Sequence, residues 1–352
     1  MAGEDVNSIE RQRYQTDKLI MRNSKITGMG FQVPDRVITN SELEDIMNTN
    51  DDWIRSRSGI EERRWISEGE AGSDLSLKAS EKALEMAGLS PEDIDMVIVG
   101  TASSDYYFPG IGAQLQDMMS LRTIGAFDIR VGCSAFIYGL SIADQFIKNG
   151  QCNTVLLVGV DVLSPALEKS PEGRDVGVLF GDGAGAVILQ PCETGTGILS
   201  THLHSEGKYL KDLWVELPSF RIDGRGFDED SIKAKRHRLK MNGREVFKHA
   251  VTRFPEVINE ALKANDLTID DIAQVIPHQA NNRITESIAK RLNVDMDRIY
   301  SNIHRYGNTT AATIPIAMCE AFEEGKFTTN DHIILAAFGS GFTWASAAIK
   351  WC

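Results

Sequence analysis

The 352-residue chain has few cysteines, a deficit of positive charge and no long apolar run. Its five cysteines are an odd number and include no CxxC pair, so the sequence predicts neither a disulfide framework nor a zinc site, and a reducing compartment suits it best. No window approaches the roughly 20 apolar residues of a membrane-spanning helix, and the N-terminus has no apolar leader. We therefore expect a cytoplasmic protein that is neither exported nor inserted into a membrane.

The formal net charge of −13 excludes two common classes of partner. Nucleic acid and anionic membrane surfaces repel such a chain at long range, so we expect neither as a partner. The hydrophobic fraction of 42% is enough for a large core. A chain of this length forms either two ordinary domains or one large α/β unit.

Short apolar runs alternate with segments of helical spacing, which predicts an α/β fold. The run at 154–160 is apolar throughout, as expected for a strand that helices cover on both faces. The predicted strands of the first half are 25–30, 94–101, 123–130, 154–160 and 184–190, with helices at 76–88 and 133–150. Residues 1–22 are polar and are predicted to be an N-terminal extension outside the fold.

The second half of the chain repeats the plan of the first. "DIDMVIVGTAS" at 93–103 is similar to "DIAQVIPHQAN" at 271–281, and two further matched pairs follow in the same order. An internal duplication predicts two similar halves, 23–195 and 196–352. The alternative, that any two βαβ stretches look alike, explains one matched pair better than three.

Three polar residues of the two halves are expected to meet at their junction. Cys133 and Asn308 each follow a glycine at the predicted start of a helix, and His278 follows the end of a predicted strand. A helix N-terminus favours a thiolate and offers a free N–H to an oxyanion, so Cys133 is a candidate nucleophile. Each residue alone has a structural alternative: a small core cysteine, a structural histidine and a helix-capping asparagine.

Seven ordered motifs resemble the ketoacyl synthases of the thiolase superfamily, and most closely β-ketoacyl-[acyl carrier protein] synthase III. The resemblance covers about residues 24–350. The motifs are "DDWIRSRSGIEERR" (51–64), "GCSAF" (132–136), "FGDGAGAV" (180–187), "STHLHSEG" (200–207), "PHQAN" (277–281), "YGNTTAA" (306–312) and "FGSGFTW" (338–344). The resemblance implies a thiolase-like fold, with two pseudo-symmetric halves in a five-layered αβαβα arrangement.

The resemblance also implies a condensing acyltransferase that initiates fatty acid synthesis. Cys133 would take the acyl group from acyl-CoA. His278 and Asn308 would then bind malonyl-acyl carrier protein for a decarboxylative Claisen condensation to a 3-oxoacyl product. The oxyanion hole would be the backbone N–H groups of Cys133 and Ser340. No metal or other cofactor is expected, because the thioesters already carry the activation.

Further substrate contacts follow from the same resemblance. The adenine of CoA would stack between Trp53 and Arg174, an arrangement that suits a flat π-system; without the other motifs, Trp53 would be simply a partly buried helix residue. Phe338 would lie beside the thiolate, and Phe108 would close the acyl pocket of the partner in a homodimer. The pantetheine channel would be lined by Thr49, Gly243 and Asn281.

A basic run at 231–253 interrupts the acidic chain. Carrier proteins are acidic, so this run, with Arg283, is a candidate docking patch. The alternative is a solvated helix face. The candidate docking residues are Arg244, Lys248 and Arg283, together with Lys235, Arg236, Arg238 and Lys240.

The sequence departs from the family pattern in four places. Ala135 and Ser340 stand where glycine is usual, which we expect to add bulk beside the site, and Arg244 replaces a frequent asparagine. The segment 217–238 is longer than usual. Three alternative functions remain: condensation of another acyl group (polyketide, quinolone-type or long-chain), a Cys-His-Asn hydrolase, and a non-catalytic subunit of the same fold.

Overall fold

The computed structural model describes residues 22–220 and 228–352. The predicted N-terminal extension lies outside the described residues except for Arg22, and so do residues 221–227 of the long segment. Within the described part of the chain, no helix is long and apolar enough to span a membrane.

Thirteen strands and eleven α-helices are present in the described residues. The strands are β1 (Asn23–Gln32), β2 (Val37–Thr39), β3 (Glu62–Arg64), β4 (Met96–Gly100), β5 (Gly125–Ile129), β6 (Val155–Asp161), β7 (Gly183–Cys192), β8 (Gly197–Ser205), β9 (Leu213–Trp214), β10 (Lys240–Met241), β11 (Ile272–Pro277), β12 (His332–Gly339) and β13 (Thr343–Lys350). The helices are α1 (Asn40–Glu44), α2 (Asp51–Ser58), α3 (Gly72–Ala87), α4 (Ile111–Met118), α5 (Ala135–Lys148), α6 (Arg174–Gly177), α7 (Glu229–Lys233), α8 (Gly243–Ala264), α9 (Asn282–Leu292), α10 (Ile303–Tyr306) and α11 (Thr313–Glu323).

The first sheet has the strand order β1-β7-β6-β4-β5. Strands β4, β5 and β6 are parallel, and β7 and β1 complete the sheet by antiparallel pairing. Every residue of β6 is buried, as its continuous apolar run predicts. The five predicted strands and two predicted helices of this half are confirmed, with one change: Gly132–Ser134 form a 3-10 turn before α5 begins at Ala135.

The second sheet has the order β11-β12-β13-β8 and repeats the first without its edge strand. Strands β11 and β12 are parallel, and β13 and β8 pair antiparallel to their neighbours. Where β5 lies in the first half, the second half has a single parallel bridge between Val275 and Ile299. The boundary at residue 195, between β7 and β8, stays a prediction.

Helices fill the space between the two sheets and cover their outer faces. Helices α3 and α4 pack on the outer face of the first sheet, and α8, with α9 against it, packs on that of the second. Between the sheets lie α5 and α11, which contact strands of both halves. This confirms the predicted five-layered αβαβα fold. Both central helices contribute apolar side chains to one core cluster that strands of both sheets join, so the two halves share one core.

Ala135 lies within this core and not beside the cavity, contrary to the sequence expectation. It is fully buried, and a Cβ atom built on Gly100 would lie only 2.8 Å from the Cβ atom of Ala135. The glycine at the end of β4 therefore makes room for the methyl group at the start of α5. The methyl group that alanine adds at position 135 therefore takes up space beside the sheet and none from the cavity.

Candidate active site

A cavity of about 1320 Å³ opens where the two halves meet. It brings together the predicted triad and its predicted neighbours from distant parts of the sequence. The cavity is lined by Cys133, His278, Asn308, Phe338 and Ser340, among others. Most of its other wall is apolar, which suits an acyl chain.

Cys133 lies in the 3-10 turn that precedes α5. Gly132 has φ +52°, a left-handed conformation that favours glycine, and turns the chain from β5 into the helix. The end of β12 runs directly against this turn: a Cβ atom built on Gly339 would lie 2.9 Å from the backbone nitrogen of Cys133. Cys133 is 7% exposed and faces the cavity from this fixed turn.

The resting Cys133 side chain is a thiol. Burial, reinforced by the negative charge of Asp161, raises the pKa of Cys133 to about 12. A helix N-terminus is worth only about 0.3–1 kcal/mol to an anion, which is too little to offset the burial of an uncompensated charge. Burial therefore opposes the thiolate that the helix N-terminus was expected to favour, and a base that accepts the proton would assist the attack.

His278 is positioned by the end of β11 and is almost completely buried. Its backbone N–H donates to the carbonyl of Ala336 on β12 at 2.8 Å. Its Nδ1 atom lies 2.7 Å from the hydroxyl oxygen of Thr313. Burial lowers the pKa of His278 to about 3, so the ring is neutral at rest and can accept a proton.

Asn308 occupies the place in the second half that Cys133 has in the first. It follows Gly307, whose φ is +63°, and precedes the 3-10 turn Thr310–Ala312 and helix α11. Its N–H donates to the carbonyl of Leu179 at 2.8 Å, and its carbonyl accepts the N–H of Gly181 at 3.1 Å. Leu179 and Gly181, around the start of the "FGDGAGAV" motif, therefore hold the Asn308 backbone by two hydrogen bonds.

Asp161 is a residue of the site that the sequence reasoning missed. It is fully buried at the end of β6, and burial raises its pKa. Asp161 accepts hydrogen bonds from the hydroxyls of Thr101, Ser103 and Thr310 and from the N–H groups of Ala102 and Ala311. Thr310 has φ +49°, a conformation that a β-branched residue adopts only when it is held. The hydrogen bonds that Asp161 accepts from Thr310 and Ala311 keep Thr310 in this conformation.

Ser340 and Phe338 line the same cavity as Cys133. A Cβ atom built on Gly132 would lie 2.3 Å from the hydroxyl oxygen of Ser340 and 3.5 Å from its backbone nitrogen. The Ser340 side chain therefore packs on the cysteine turn. Phe338 is buried against Phe342, with ring centres 4.9 Å apart, and forms part of the cavity wall.

The predicted CoA residues are only partly brought together. Trp53, Gly243 and Asn281 line the cavity, whereas Thr49 and Arg174 do not. The Arg174 guanidinium carbon lies 4.8 Å from the centre of the Trp53 ring, so a base can stack between them only if Arg174 moves.

A second guanidinium, that of Arg57, lies 4.6 Å from the centre of the Trp53 ring and lines the cavity. Sequence reasoning missed Arg57, although it lies one helical turn after Trp53.

The basic run divides into two parts. Arg244 and Arg283 line the cavity, and Lys248, one helical turn after Arg244, is exposed and paired with Glu245 at 3.2 Å. Four other basic residues pair inward: Lys235 with Glu168, Arg236 and Lys240 with Glu216, and Arg238 with the carbonyls of Pro165 and Leu167. These pairings tie the segment before α8 to the body of the protein, and the assignment of the four residues to a docking patch stays a prediction.

Phe108 is 74% exposed and does not line the cavity of its own chain. Its neighbour Tyr107 does line the cavity and contacts Phe220, with ring centres 5.0 Å apart. In residues 22–220 and 228–352, no group of three or more His, Cys, Asp or Glu side chains is placed to hold a metal ion.

Two family profiles match the chain. One, described as 3-oxoacyl-[acyl-carrier-protein (ACP)] synthase III, matches residues 127–207. The other, described as the C-terminal part of the same synthase, matches residues 262–351. The first contains Cys133 and the second contains His278 and Asn308.

Whole-chain comparisons agree with these profiles. The chain is 43% identical to a β-ketoacyl-[acyl-carrier-protein] synthase III of Roseiflexus sp. over 93% of its length and 98% of that protein. It is 41% identical to synthase III 1 of Vibrio parahaemolyticus over 93% of its length and 99% of that protein. The crystal structure of 3-oxoacyl-[acyl-carrier-protein] synthase III from Aquifex aeolicus superposes with a TM-score of 0.84 at 39% identity, covering 93% of this chain and all of the other.

Proposed function

Because the chain belongs to the 3-oxoacyl-[acyl-carrier-protein] synthase III family and is therefore a condensing acyltransferase of fatty acid synthesis, we propose the following reaction for its cavity. An acyl group passes from acyl-CoA to Cys133. Free CoA leaves, and the acyl-enzyme then condenses with malonyl-acyl carrier protein to give a 3-oxoacyl-acyl carrier protein and CO₂. The observation that carries this proposal is the convergence of Cys133, His278 and Asn308 on one largely apolar cavity.

In the first half-reaction, Cys133 attacks the thioester carbon of acyl-CoA. Neutral His278 is the base that accepts the thiol proton, since the thiol does not ionise by itself in this buried site. The backbone N–H groups of Cys133 and Ser340 receive the developing oxyanion. Loss of one such donor typically costs about 3 kcal/mol in the barrier.

In the second half-reaction, His278 and Asn308 bind the thioester oxygen of the malonyl group. Loss of CO₂ leaves negative charge on that oxygen, and hydrogen bonds made there stabilise an enolate more than the starting ester. The enolate carbon attacks the acyl carbon on Cys133. Both half-reactions use only the activation of the thioesters.

Substrate access is proposed from the rim of the cavity. Trp53, Arg174 and Arg57 would hold the CoA nucleotide, with the pantetheine arm passing Thr49, Gly243 and Asn281. Arg244, Lys248 and Arg283 would dock the acidic carrier protein. Arg244 and Arg283 make no ion pair with another residue that the structure describes, which leaves their charges available for such a partner.

A homodimer in the cytoplasm is the proposed working form. Strand β5 is at the edge of its sheet, and the exposed Phe108 does not line the cavity of its own chain. A second copy would cover Phe108, which would then complete the acyl pocket of its partner.

Intact mass spectrometry tests the proposal directly. We expect wild type incubated with short acyl-CoAs to gain the mass of one acyl group, and Cys133→Ala to gain none. Cys319→Ala is the matched control, because Cys319 is also buried with a raised pKa but does not line the cavity. Acylation by only long or aromatic groups would favour the alternative acyl substrates, and hydrolysis without condensation would favour the hydrolase.

Charge reversal at the rim tests carrier-protein docking. We expect Arg244→Glu and Arg283→Glu to raise KM for malonyl-acyl carrier protein while leaving KM for a malonyl-CoA surrogate much less affected. Lys78→Glu, on the opposite outer layer, is the control. Equal effects on both substrates would contradict the docking role.

A further inference from the structure

The hydroxyl of Thr313 connects His278 to the turn that carries Asn308. Its oxygen lies 2.9 Å from the carbonyl oxygen of Thr310 and 2.7 Å from Nδ1 of His278. A carbonyl oxygen can only accept, so the single hydroxyl proton of Thr313 lies toward Thr310. Nδ1 of His278 must then donate its own proton to the Thr313 oxygen.

This pair of hydrogen bonds fixes the tautomer of the imidazole ring. A neutral ring carries one proton, so a protonated Nδ1 leaves a lone pair on Nε2. Thr313 is 2% exposed and cannot exchange its partners for water. The Thr310 peptide is held in turn, because its N–H donates to Oδ1 of Asn308 at 2.9 Å and its hydroxyl donates to Asp161.

We propose that Thr313 is a positioning residue that holds His278 in the Nδ1–H form, so that Nε2 enters each half-reaction as the proton acceptor. The inference deepens the proposed function and rests on it. In acyl transfer, the Cys133 proton moves to Nε2 while the sulfur bonds to the acyl carbon. The proton then passes to the sulfur of CoA as the bond between that sulfur and the acyl carbon breaks, and His278 is neutral again.

In condensation, His278 can donate to the malonyl thioester oxygen only after Nε2 has taken a proton. The malonyl carboxylate brings a negative charge that favours the imidazolium ion, and the proton comes from water. CO₂ leaves, the enolate carbon bonds to the acyl carbon, and Cys133 departs as a thiolate that takes the proton from Nε2. One proton is consumed per turnover, as the conversion of a carboxylate to CO₂ requires.

Nitrogen-15 NMR of histidine-labelled protein tests the tautomer. The chain has seven histidines, and the signals of His278 are identified by their disappearance in His278→Gln. We expect the Nδ1–H pattern in wild type and in Thr313→Ser at neutral pH, and a mixture of tautomers in Thr313→Val. An Nε2–H pattern in the resting wild type would overturn the proposal.

Rates of Cys133 acylation separate positioning from packing. Valine keeps the shape of threonine without its hydroxyl, so we expect Thr313→Val to slow acylation at least about tenfold, within the range of acid–base contributions. Thr313→Ser should restore the rate. Thr285→Val, at another threonine that is 2% exposed but forms no hydrogen bond with His278, should not change it.

The possible failures are distinguishable. If Thr313→Val acylates as fast as wild type, the positioning role is wrong although the proposed function stands. If wild type is acylated by no acyl-CoA, the proposed function is wrong, and the tautomer measured by NMR still decides whether Thr313 holds His278.

Discussion

The side-chain oxygen of Asn308 accepts the backbone N–H of Thr310 at 2.9 Å. An amide group has an acceptor end and a donor end, so this bond determines that Nδ2, the donor, is the end left for the cavity. Because the Thr310 peptide is itself held by Asp161, the orientation of the amide depends on a carboxylate that does not line the cavity.

Asn308→Asp is predicted to impair condensation selectively. An aspartate oxygen still accepts the Thr310 N–H, but its second oxygen places a negative charge where the enolate forms. We expect condensation to fall at least about 100-fold, the usual effect of losing one such donor. Acylation of Cys133, measured by intact mass in the absence of malonyl substrate, is the internal control and should change only a few-fold. Equal losses in both half-reactions would contradict this role.

Alkylation of Cys133 is predicted to increase with pH well beyond neutrality. The thiolate is the reactive form. An ordinary thiol has a pKa of 9.0, so its thiolate fraction levels off above that pH. Because the pKa of Cys133 is about 12, the thiolate fraction of Cys133 still rises there. Peptide mass spectrometry after brief iodoacetamide treatment at a series of pH values measures this. Asp161→Asn removes a charge that raises the pKa and should speed alkylation at each pH. A plateau near neutral pH in wild type would refute the prediction.

Arg63 is predicted to be essential for stability. It is completely buried, and burial lowers its pKa to about 10. Its guanidinium donates to the carbonyls of Ile38 and Val178 and to Oδ1 of Asn40. Arg63→Met leaves these acceptors unpaired, so we expect the free energy of unfolding to fall by about 3 kcal/mol or more.

The control for Arg63 is Arg36→Met. Arg36 forms an exposed ion pair with Glu42, and such pairs contribute only about 0–1 kcal/mol. Thermal unfolding of the two variants compares a buried with an exposed guanidinium. Similar unfolding temperatures for both variants would show that the buried network contributes little.

Gly100 and Ala135 are predicted to behave as a coupled pair. A methyl group at position 100 would lie 2.8 Å from that of Ala135, so Gly100→Ala should lower the free energy of unfolding by about 1–3 kcal/mol, as overpacking does. Adding Ala135→Gly should recover only part of this loss, because the carbonyl carbon and oxygen of residue 135 remain 3.1 and 3.2 Å from the added atom. Gly207→Ala is the control, since nothing lies within 4 Å of the added atom. Additive effects in the double variant would contradict the coupling.

The sequence predicts the sheets better than the electrostatics of the site. Strand β6 is buried on both faces, and such burial leaves a continuous apolar run that can be read directly. The position of Cys133 before α5 follows from the adjoining strand and helix patterns. Its protonation state does not, because it depends on burial against Gly339 and on the charge of Asp161, which the fold brings in from elsewhere.

Asp161 illustrates what local patterns miss. Its only sequence signal is an acidic residue at the end of an apolar run, and its partners lie 58 to 150 residues away along the chain. The basic run likewise gives no local sign of its partners: Arg238 donates to carbonyls that lie 71 and 73 residues away along the chain. Pairings of this kind exist only after the chain has folded.

The two halves meet along the single layer formed by α5 and α11, and this has a consequence for how the site is divided between them. Because the two halves pack face to face, they share one interface and form one site there instead of two. At matching positions, the first half presents the thiol of Cys133 and the second half presents the amide of Asn308. Neither half alone contains Cys133, His278 and Asn308 together, so the proposed reaction requires both halves of the chain.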